Sequence, residues 1–250
     1  MANVSTMTVP ALLTLTEDFL LRIQYTKSVI RRDYILRMIE EFIQALARAN
    51  ALKKDQRWQE AAGVVDEEFQ RLIGTGAQAV AHLSETELLA RLIRGEPTQA
   101  VREKTLILTA LLREAGDLAA RQERAEESRA CYLKGLHLLL ETLAREEVST
   151  FPDFVPRVEM FAAALHDSPL PLKTQALLMQ HYERSGEFGK AEDALFAMLE
   201  AEPANTGLVE FGVSFYQRLR GQSDASLAAG NLPRSELEAG LAELRKRRAE

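Results

Sequence analysis

The residue types that most often carry chemistry are few in this chain and widely separated. The chain has four histidines, His82, His137, His166 and His181, and one cysteine, Cys131. Zinc sites usually draw their ligands from closely spaced pairs, such as two histidines four residues apart on a helix. No pair of that kind occurs, so the sequence predicts no metal site and no cofactor.

The individual histidines and the cysteine have a simpler interpretation as packing residues. His137 and His181 fall on apolar helical faces, where we expect packed or partly buried imidazoles rather than ligands. Cys131 precedes Tyr132 and has no sequence neighbour that would clearly lower its pKa and activate the thiol. We therefore expect Cys131 to be a small core residue at a contact between helices.

One short stretch superficially resembles a phosphate-binding loop. The sequence Gly186-Glu187-Phe188-Gly189-Lys190 lacks the full GxxxxGK[ST] spacing, and Ala191 stands where a magnesium-binding hydroxyl belongs. The chain also lacks the GxSxG and GxGxxG patterns, and its acidic runs are typical of solvated helix faces. The sequence thus predicts a protein without enzymatic activity, and a catalytic site scattered over several helices is the less favoured alternative.

Composition indicates an all-α protein. The 250 residues carry a net charge of −6, and 46% of them are hydrophobic, while only 13 glycines and 8 prolines interrupt the good helix formers. The acidic balance argues against a nucleic-acid partner, and no apolar run approaches the roughly 20 residues that span a membrane. A single cysteine suits a reducing compartment, so we expect a cytoplasmic protein.

Two basic clusters are interpreted as ordinary helix surface. Arg245–Arg248 ends the last predicted helix, where cations complement the helix dipole. Arg31-Arg32, near Arg22, Lys27 and Arg37, is expected on the exposed surface of the first two predicted helices. Neither cluster predicts a nucleic-acid or membrane surface, because a few exposed cations bind weakly.

The most regular stretch of the chain is Leu172–Pro203, which predicts two amphipathic helices joined by a tight turn. Gly186 can adopt the left-handed conformation that ends the first helix, and Pro203 stops the second. The second helix places Phe188, Ala191 and Leu195 on one side. The small side chain of Ala191 allows the two backbones to approach closely.

This pattern of aromatic residues, a small residue and a closing proline resembles a tetratricopeptide repeat. Ala61 and Ser128 occupy corresponding small positions, since Ser128 lies 67 residues after Ala61 and 63 residues before Ala191. Both separations are close to two units of about 34 residues. The resemblance implies an α-α superhelix, a solenoid of antiparallel helix pairs that stack side by side.

Such a superhelix implies an adapter that binds a protein or peptide in its concave groove without catalysis. The first helices of the pairs usually face the groove. This nominates four peptide-binding residues on the first helix of the best repeat: Gln175, Met179, Gln180 and Arg184.

An alternative function is self-assembly into a homodimer through the terminal helices. In this interpretation Leu237, Leu241 and Leu244 are exposed on the last helix and pair two chains about a twofold axis.

The sequence near Val29 predicts that the main folded part of the chain begins there. The sequences Arg31-Arg32-Asp33-Tyr34-Ile35 and Arg37-Met38-Ile39-Glu40 resemble the opening of an uncharacterised bacterial family without established activity, over about residues 29–95. Residues 1–28 would then be an N-terminal extension with one helix. The loop Val148–Pro156 is predicted to be a hinge between a repeat-like lobe at 29–147 and a second lobe at 148–250 that ends in a capping helix.

Overall fold

The computed structural model describes residues 33–94, 98–145 and 151–249, and within these ranges every regular element is a helix. The all-α prediction is therefore confirmed for the described chain. The predicted first helix, the basic pair at 31–32 and the first residues of the predicted hinge lie outside these ranges. The helices are α1 (33–54), α2 (Trp58–Ile73), α3 (Ala77–His82), α4 (Glu85–Ile93), α5 (Thr98–Arg121), α6 (Ala125–Arg145), α7 (Val158–Ala164), α8 (Leu172–Ser185), α9 (Phe188–Ala201), α10 (Thr206–Leu219), α11 (Asp224–Ala229) and α12 (Arg234–Ala249).

The chain forms two compact units, Met1–Val64 and Val65–Glu250. The described part of the first unit contains α1 and the beginning of α2. Along α1, the side chains of Ile35, Phe42 and Ala49 are buried at a spacing of seven residues, which places them on one helical face. Ile43 is also apolar but is 47% exposed, because α1 carries apolar residues on more than one face.

Within the second unit, α5 and α6 form a hairpin. Every residue from 104 to 112 of α5 is buried, so this helix is surrounded by protein. The hydroxyl of Ser128 donates a 2.9 Å hydrogen bond to the carbonyl of Gly116, and the Tyr132 hydroxyl donates a 2.6 Å bond to Asp117. The predicted small residue Ser128 therefore does lie at a contact between paired helices.

Local caps determine where several helices begin and end. Ser84 and Glu87 form a reciprocal capping box in front of α4, and Asn205 caps α10 by accepting from the Leu208 amide. Gly186 ends α8 with a φ of 77°, in the left-handed region that favours glycine. The conformation of Gly186 confirms the helix end that the sequence predicts there.

A single apolar core connects α6 to α12. Within it, α8 pairs with α9 and α10 pairs with α12, with the short α11 between the last two. Ala191 of α9 is fully buried, as the sequence predicts for a small residue at a helix contact. The core crosses the predicted boundary at residue 148, and the division into lobes at that point stays a prediction.

The pairing of α10 with α12 corrects one expectation from the sequence. Leu237, Leu241 and Leu244 are at most 1% exposed, whereas the proposed dimer surface requires them on the outside. They are buried because α12 turns its only apolar stripe towards the core of its own chain. These leucines are therefore not available to pair two copies.

A glycine at the contact of α6 with α7 provides a test of this packing. A Cβ atom at Gly135 would lie 2.5 Å from the ring of Phe161, which is fully buried. We expect Gly135→Ala to destabilise the protein by about 1–3 kcal/mol, because overpacking outweighs the better helix propensity of alanine. Thermal unfolding followed by circular dichroism measures the change.

The matched control is Gly63→Ala on α2. Gly63 is also helical, but apart from its chain neighbours and the backbone of its own helix no atom lies within 4 Å of the position of a Cβ there. This substitution should raise stability by roughly 0.5–1 kcal/mol. If both variants melted at or above the wild-type temperature, the close contact at Gly135 would be refuted.

One polar contact connects α9 to α10 inside the core. The hydroxyl of Tyr216, itself fully buried, donates to the carboxylate of Glu192. Burial raises the pKa of Glu192 above its ordinary value of 4.5, and the hydrogen bond from Tyr216 opposes this rise only in part. The folded protein therefore holds this proton more tightly than the unfolded chain does.

This raised pKa gives a prediction about pH. A carboxyl with a raised pKa in the folded state contributes stability below its ordinary pKa, and this contribution is lost as the pH rises through the folded value. Glu192→Gln removes the charge and keeps an acceptor for Tyr216. The free energy of unfolding of the variant, relative to wild type, should therefore increase from about pH 4 to pH 7. Urea titrations at several pH values measure it, and a relative decrease would contradict the raised pKa.

Candidate functional site

An open groove of about 600 Å³ lies beside the C-terminal ends of α8 and α10. Its size is typical of a pocket that receives several side chains or a small ligand. The groove is lined by Gln180, Glu183, Arg184, Gly186, Phe188, Phe211, Arg218, Leu219 and Gln222.

The floor of the groove is apolar. Phe188 is the first residue of α9 and is brought there by the tight turn at Gly186, while Leu219 ends α10. Both side chains are almost completely buried, at 4% and 2% exposure. Phe211 lies two turns before Leu219 on α10 and is only partly buried. The floor therefore presents aromatic surface to solvent on top of a closed core.

The rim of the groove is polar and contains one well-formed ion pair. Nε and Nη2 of Arg218 each lie 2.7 Å from a carboxylate oxygen of Glu183, which joins α10 to α8. These hydrogen bonds raise the pKa of Arg218. The contact is bidentate, the geometry in which arginine binds a carboxylate most specifically.

A second arginine on the rim contacts a helix end. Nη1 of Arg184 donates to the carbonyls of Leu143 and Ala144, each at 3.2 Å, in the last turn of α6. The last carbonyls of a helix lack partners within the helix and carry partial negative charge. The C-terminal ends of α6, α8 and α10 thus meet at the groove, which explains why arginines stand there.

Two of the four predicted peptide-binding residues line the groove and two do not. Gln180 and Arg184 are on its rim. Met179 is fully buried in the core, and Gln175 is partly buried with an Oε1 atom that has no hydrogen-bond partner in the described chain. All four share α8, but Met179 faces the core, and Gln175 lies more than one turn before Gln180.

The groove also contains residues that the sequence did not nominate. Phe211, Arg218 and Gln222 come from α10 and the turn after it. The sequence analysis expects the first helix of each pair to face the groove. Because α10 is the first helix of the next pair, the same rule identifies residues of α10 as candidates.

A hydroxyl, an imidazole and a carboxylate lie in a row between α6 and α8. Nδ1 of His137 lies 3.0 Å from the Thr174 hydroxyl, and Nε2 lies 3.3 Å from Glu141. Nucleophilic catalysis uses the same order of groups. Thr174, however, is only 2% exposed, so a substrate does not reach its hydroxyl. The row fixes the first turn of α8 against α6.

The carboxylate of this row is held in its charged form. Burial alone would raise the pKa of Glu141, but the ammonium of Lys173 donates to it at 2.6 Å and the net effect is a lowered pKa. His137 and Arg145 add to the lowering. The charge of Glu141 is therefore satisfied within the protein.

The histidines do not combine into a metal centre. Within the described ranges, no group of three or more histidine, cysteine, aspartate and glutamate side chains is placed to hold a metal ion. His181 is partly buried beside Tyr182, and burial lowers its pKa.

None of the helices in the described ranges combines the length and the apolar character needed to cross a membrane.

The thiol of Cys131 is buried on α6, at 2% exposure. Burial raises its pKa to about 11, despite the nearby cations Lys134 and Arg124. A thiol with such a pKa is almost fully protonated at neutral pH and is a poor nucleophile. The expectation of a small core residue at this position is confirmed.

The burial of Cys131 predicts slow labelling of the folded protein. Because the chain has one cysteine, iodoacetamide incorporation reports on this thiol alone. At pH 8 we expect labelling of the folded chain to be at least about a hundredfold slower than in denaturant, where the pKa returns to its ordinary value. Mass spectrometry of timed samples measures the rates. Equal rates in both states would show that the thiol is accessible.

Comparison with known proteins gives one match. The chain matches a family of unknown function (DUF6483) over residues 29–249. The match starts where the sequence predicts, at residue 29, and extends far beyond residue 95, the predicted end of the resemblance. No curated protein and no solved structure shows a significant match to the chain.

Proposed function

The chain belongs to the DUF6483 family of unknown function, and for it we propose a non-catalytic adapter that binds a peptide or helix of another protein in the groove. The observation that carries this proposal is the apolar floor under a polar rim, on a groove of about 600 Å³. Protein interfaces have the same composition, with an apolar centre and a polar border.

The finer architecture belongs to the same proposal. In the second unit, α8–α9 and α10–α12 are successive helix pairs, and the groove lies on the first helix of each pair. In a superhelix like that of tetratricopeptide proteins, these first helices line the concave side. The proposal thus assigns α8 and α10 to the binding face.

The binding energy would come mainly from the floor. An apolar side chain of the partner that covers the exposed part of Phe211 removes both surfaces from water. The amides of Gln180 and Gln222 on the rim offer donors and acceptors to the partner backbone. Peptide recognition usually requires apolar contacts that supply affinity, here from the floor, and polar contacts that set the orientation of the peptide, here from the rim.

The lining of the groove supports binding without catalysis. Among the residues that line it, the only acid is Glu183, which is held by Arg218, and no histidine, cysteine, serine or threonine is present. A groove with this lining has no pair of nucleophile and base to activate a substrate.

The proposal predicts that a groove residue controls peptide binding. The probes are peptides of about a dozen residues, selected from a random phage-displayed library on the immobilised wild-type chain and then synthesised with a fluorophore. We expect Phe211→Gln to weaken their binding about tenfold or more, because a partly buried aromatic residue at the centre of an interface is a typical hot spot. Fluorescence anisotropy measures the dissociation constants.

The matched control is Phe196→Gln on α9. Phe196 is also partly buried against the core but lies outside the groove, so its substitution should leave binding unchanged. Circular dichroism verifies that both variants fold. A library that yields no binder, or binders equally tight to Phe211→Gln and wild type, would overturn the proposed function.

A further inference from the structure

We infer that the partner of the groove carries a carboxylate side chain, and that Arg184 binds it in a bidentate contact. This inference rests on the proposed function and specifies the chemistry of the partner. The occupant is thus a peptide segment with an aspartate or glutamate next to an apolar residue. The apolar residue covers Phe211, and the acid meets Arg184 on the rim.

Arg184 is oriented by contacts within the chain before any partner arrives. Its Nη1 is held by the carbonyls of Leu143 and Ala144 at the end of α6. A guanidinium is planar and rigid, so fixing one nitrogen restricts the other two. A prearranged side chain loses less conformational entropy when it binds a ligand.

The opposite edge of the Arg184 guanidinium is open. Its Nε and Nη2 form no hydrogen bond to any described residue, although the side chain lines the groove. These two nitrogens present parallel donors at the spacing of two carboxylate oxygens. An arginine with this edge unpaired offers two hydrogen-bond donors to one carboxylate.

The neighbouring arginine shows the same contact already made. Arg218 uses its Nε and Nη2 to hold both oxygens of Glu183. We call the Nε and Nη2 pair of a guanidinium its fork. The groove therefore contains two arginines: the fork of Arg218 is filled by an acid of this chain, and the fork of Arg184 is empty. The filled fork shows that a carboxylate is accommodated at this rim.

The charges of the lining favour an acidic partner. The groove-lining residues include two arginines, Arg184 and Arg218, and one acid, Glu183, which leaves a balance of +1. The carbonyls of α6 offset part of the Arg184 charge without neutralising it, because they are dipoles. The whole chain has a net charge of −6, so this rim differs in sign from the average surface.

The test uses the peptides selected on the wild-type chain. Their acidic residue is replaced by asparagine or glutamine, and binding is measured by anisotropy to wild type and to Arg184→Gln. We expect the peptide change to weaken binding to wild type about tenfold, and Arg184→Gln to weaken the parent peptide to the same degree. The two changes together should weaken binding no more than either change alone, since each removes the same contact.

The matched control is Arg129→Gln. Arg129 also donates to a backbone carbonyl, that of Pro169, but it lies outside the groove, so binding should not change. Arg184→Lys keeps the positive charge without the fork and should bind the parent peptide less tightly than wild type. It also replaces Arg184→Gln as the test variant if the latter does not fold by circular dichroism.

The outcomes separate this inference from the proposed function. Peptides that depend on Phe211 but bind equally well without their acid would overturn the carboxylate contact and leave the adapter function standing. Peptides that bind Arg184→Gln as tightly as wild type would do the same. A phosphoserine preferred over the acid would assign the fork to phosphate and overturn the inference. Binding that ignores both Phe211 and Arg184 would overturn both proposals.

Discussion

The second unit depends on helices that approach each other closely through small side chains. A Cβ atom at Gly116 would fall 2.8 Å from the ring of Tyr132, and one at Gly240 would fall 2.2 Å from the Tyr216 hydroxyl. Each aromatic side chain thus occupies the space left by a glycine on the paired helix. Because the paired helices pack so closely, the ends of these helices have defined positions relative to one another.

The groove follows from where those fixed ends lie. The last turns of α6, α8 and α10 come together, and helix ends of this kind carry partial negative charge and unpaired carbonyls. Arg184 binds the carbonyls of α6, while Arg218 binds the acid of α8. The same arginines that stabilise the helix ends therefore also form the rim of the groove.

Much of the fold could be predicted because its signals are local. The turn at Gly186 acts over a few residues, so the two helices that it joins were recognised from the sequence. The burial of Leu237 was not, because an apolar stripe does not show whether α10 covers it. The burial of Met179, on the same helix as Arg184, was not recognised for the same reason. The ion pair of Glu183 with Arg218 joins residues 35 apart, which no local pattern reveals.

The hairpin of α5 and α6 has a consequence for how the chain folds. Its contacts from Ser128 to Gly116 and from Tyr132 to Asp117 join residues only 12 and 15 positions apart. Closing so short a loop loses little chain entropy, and proteins built from such contacts fold quickly. The contacts of this hairpin can therefore form without the helices that follow it in the chain.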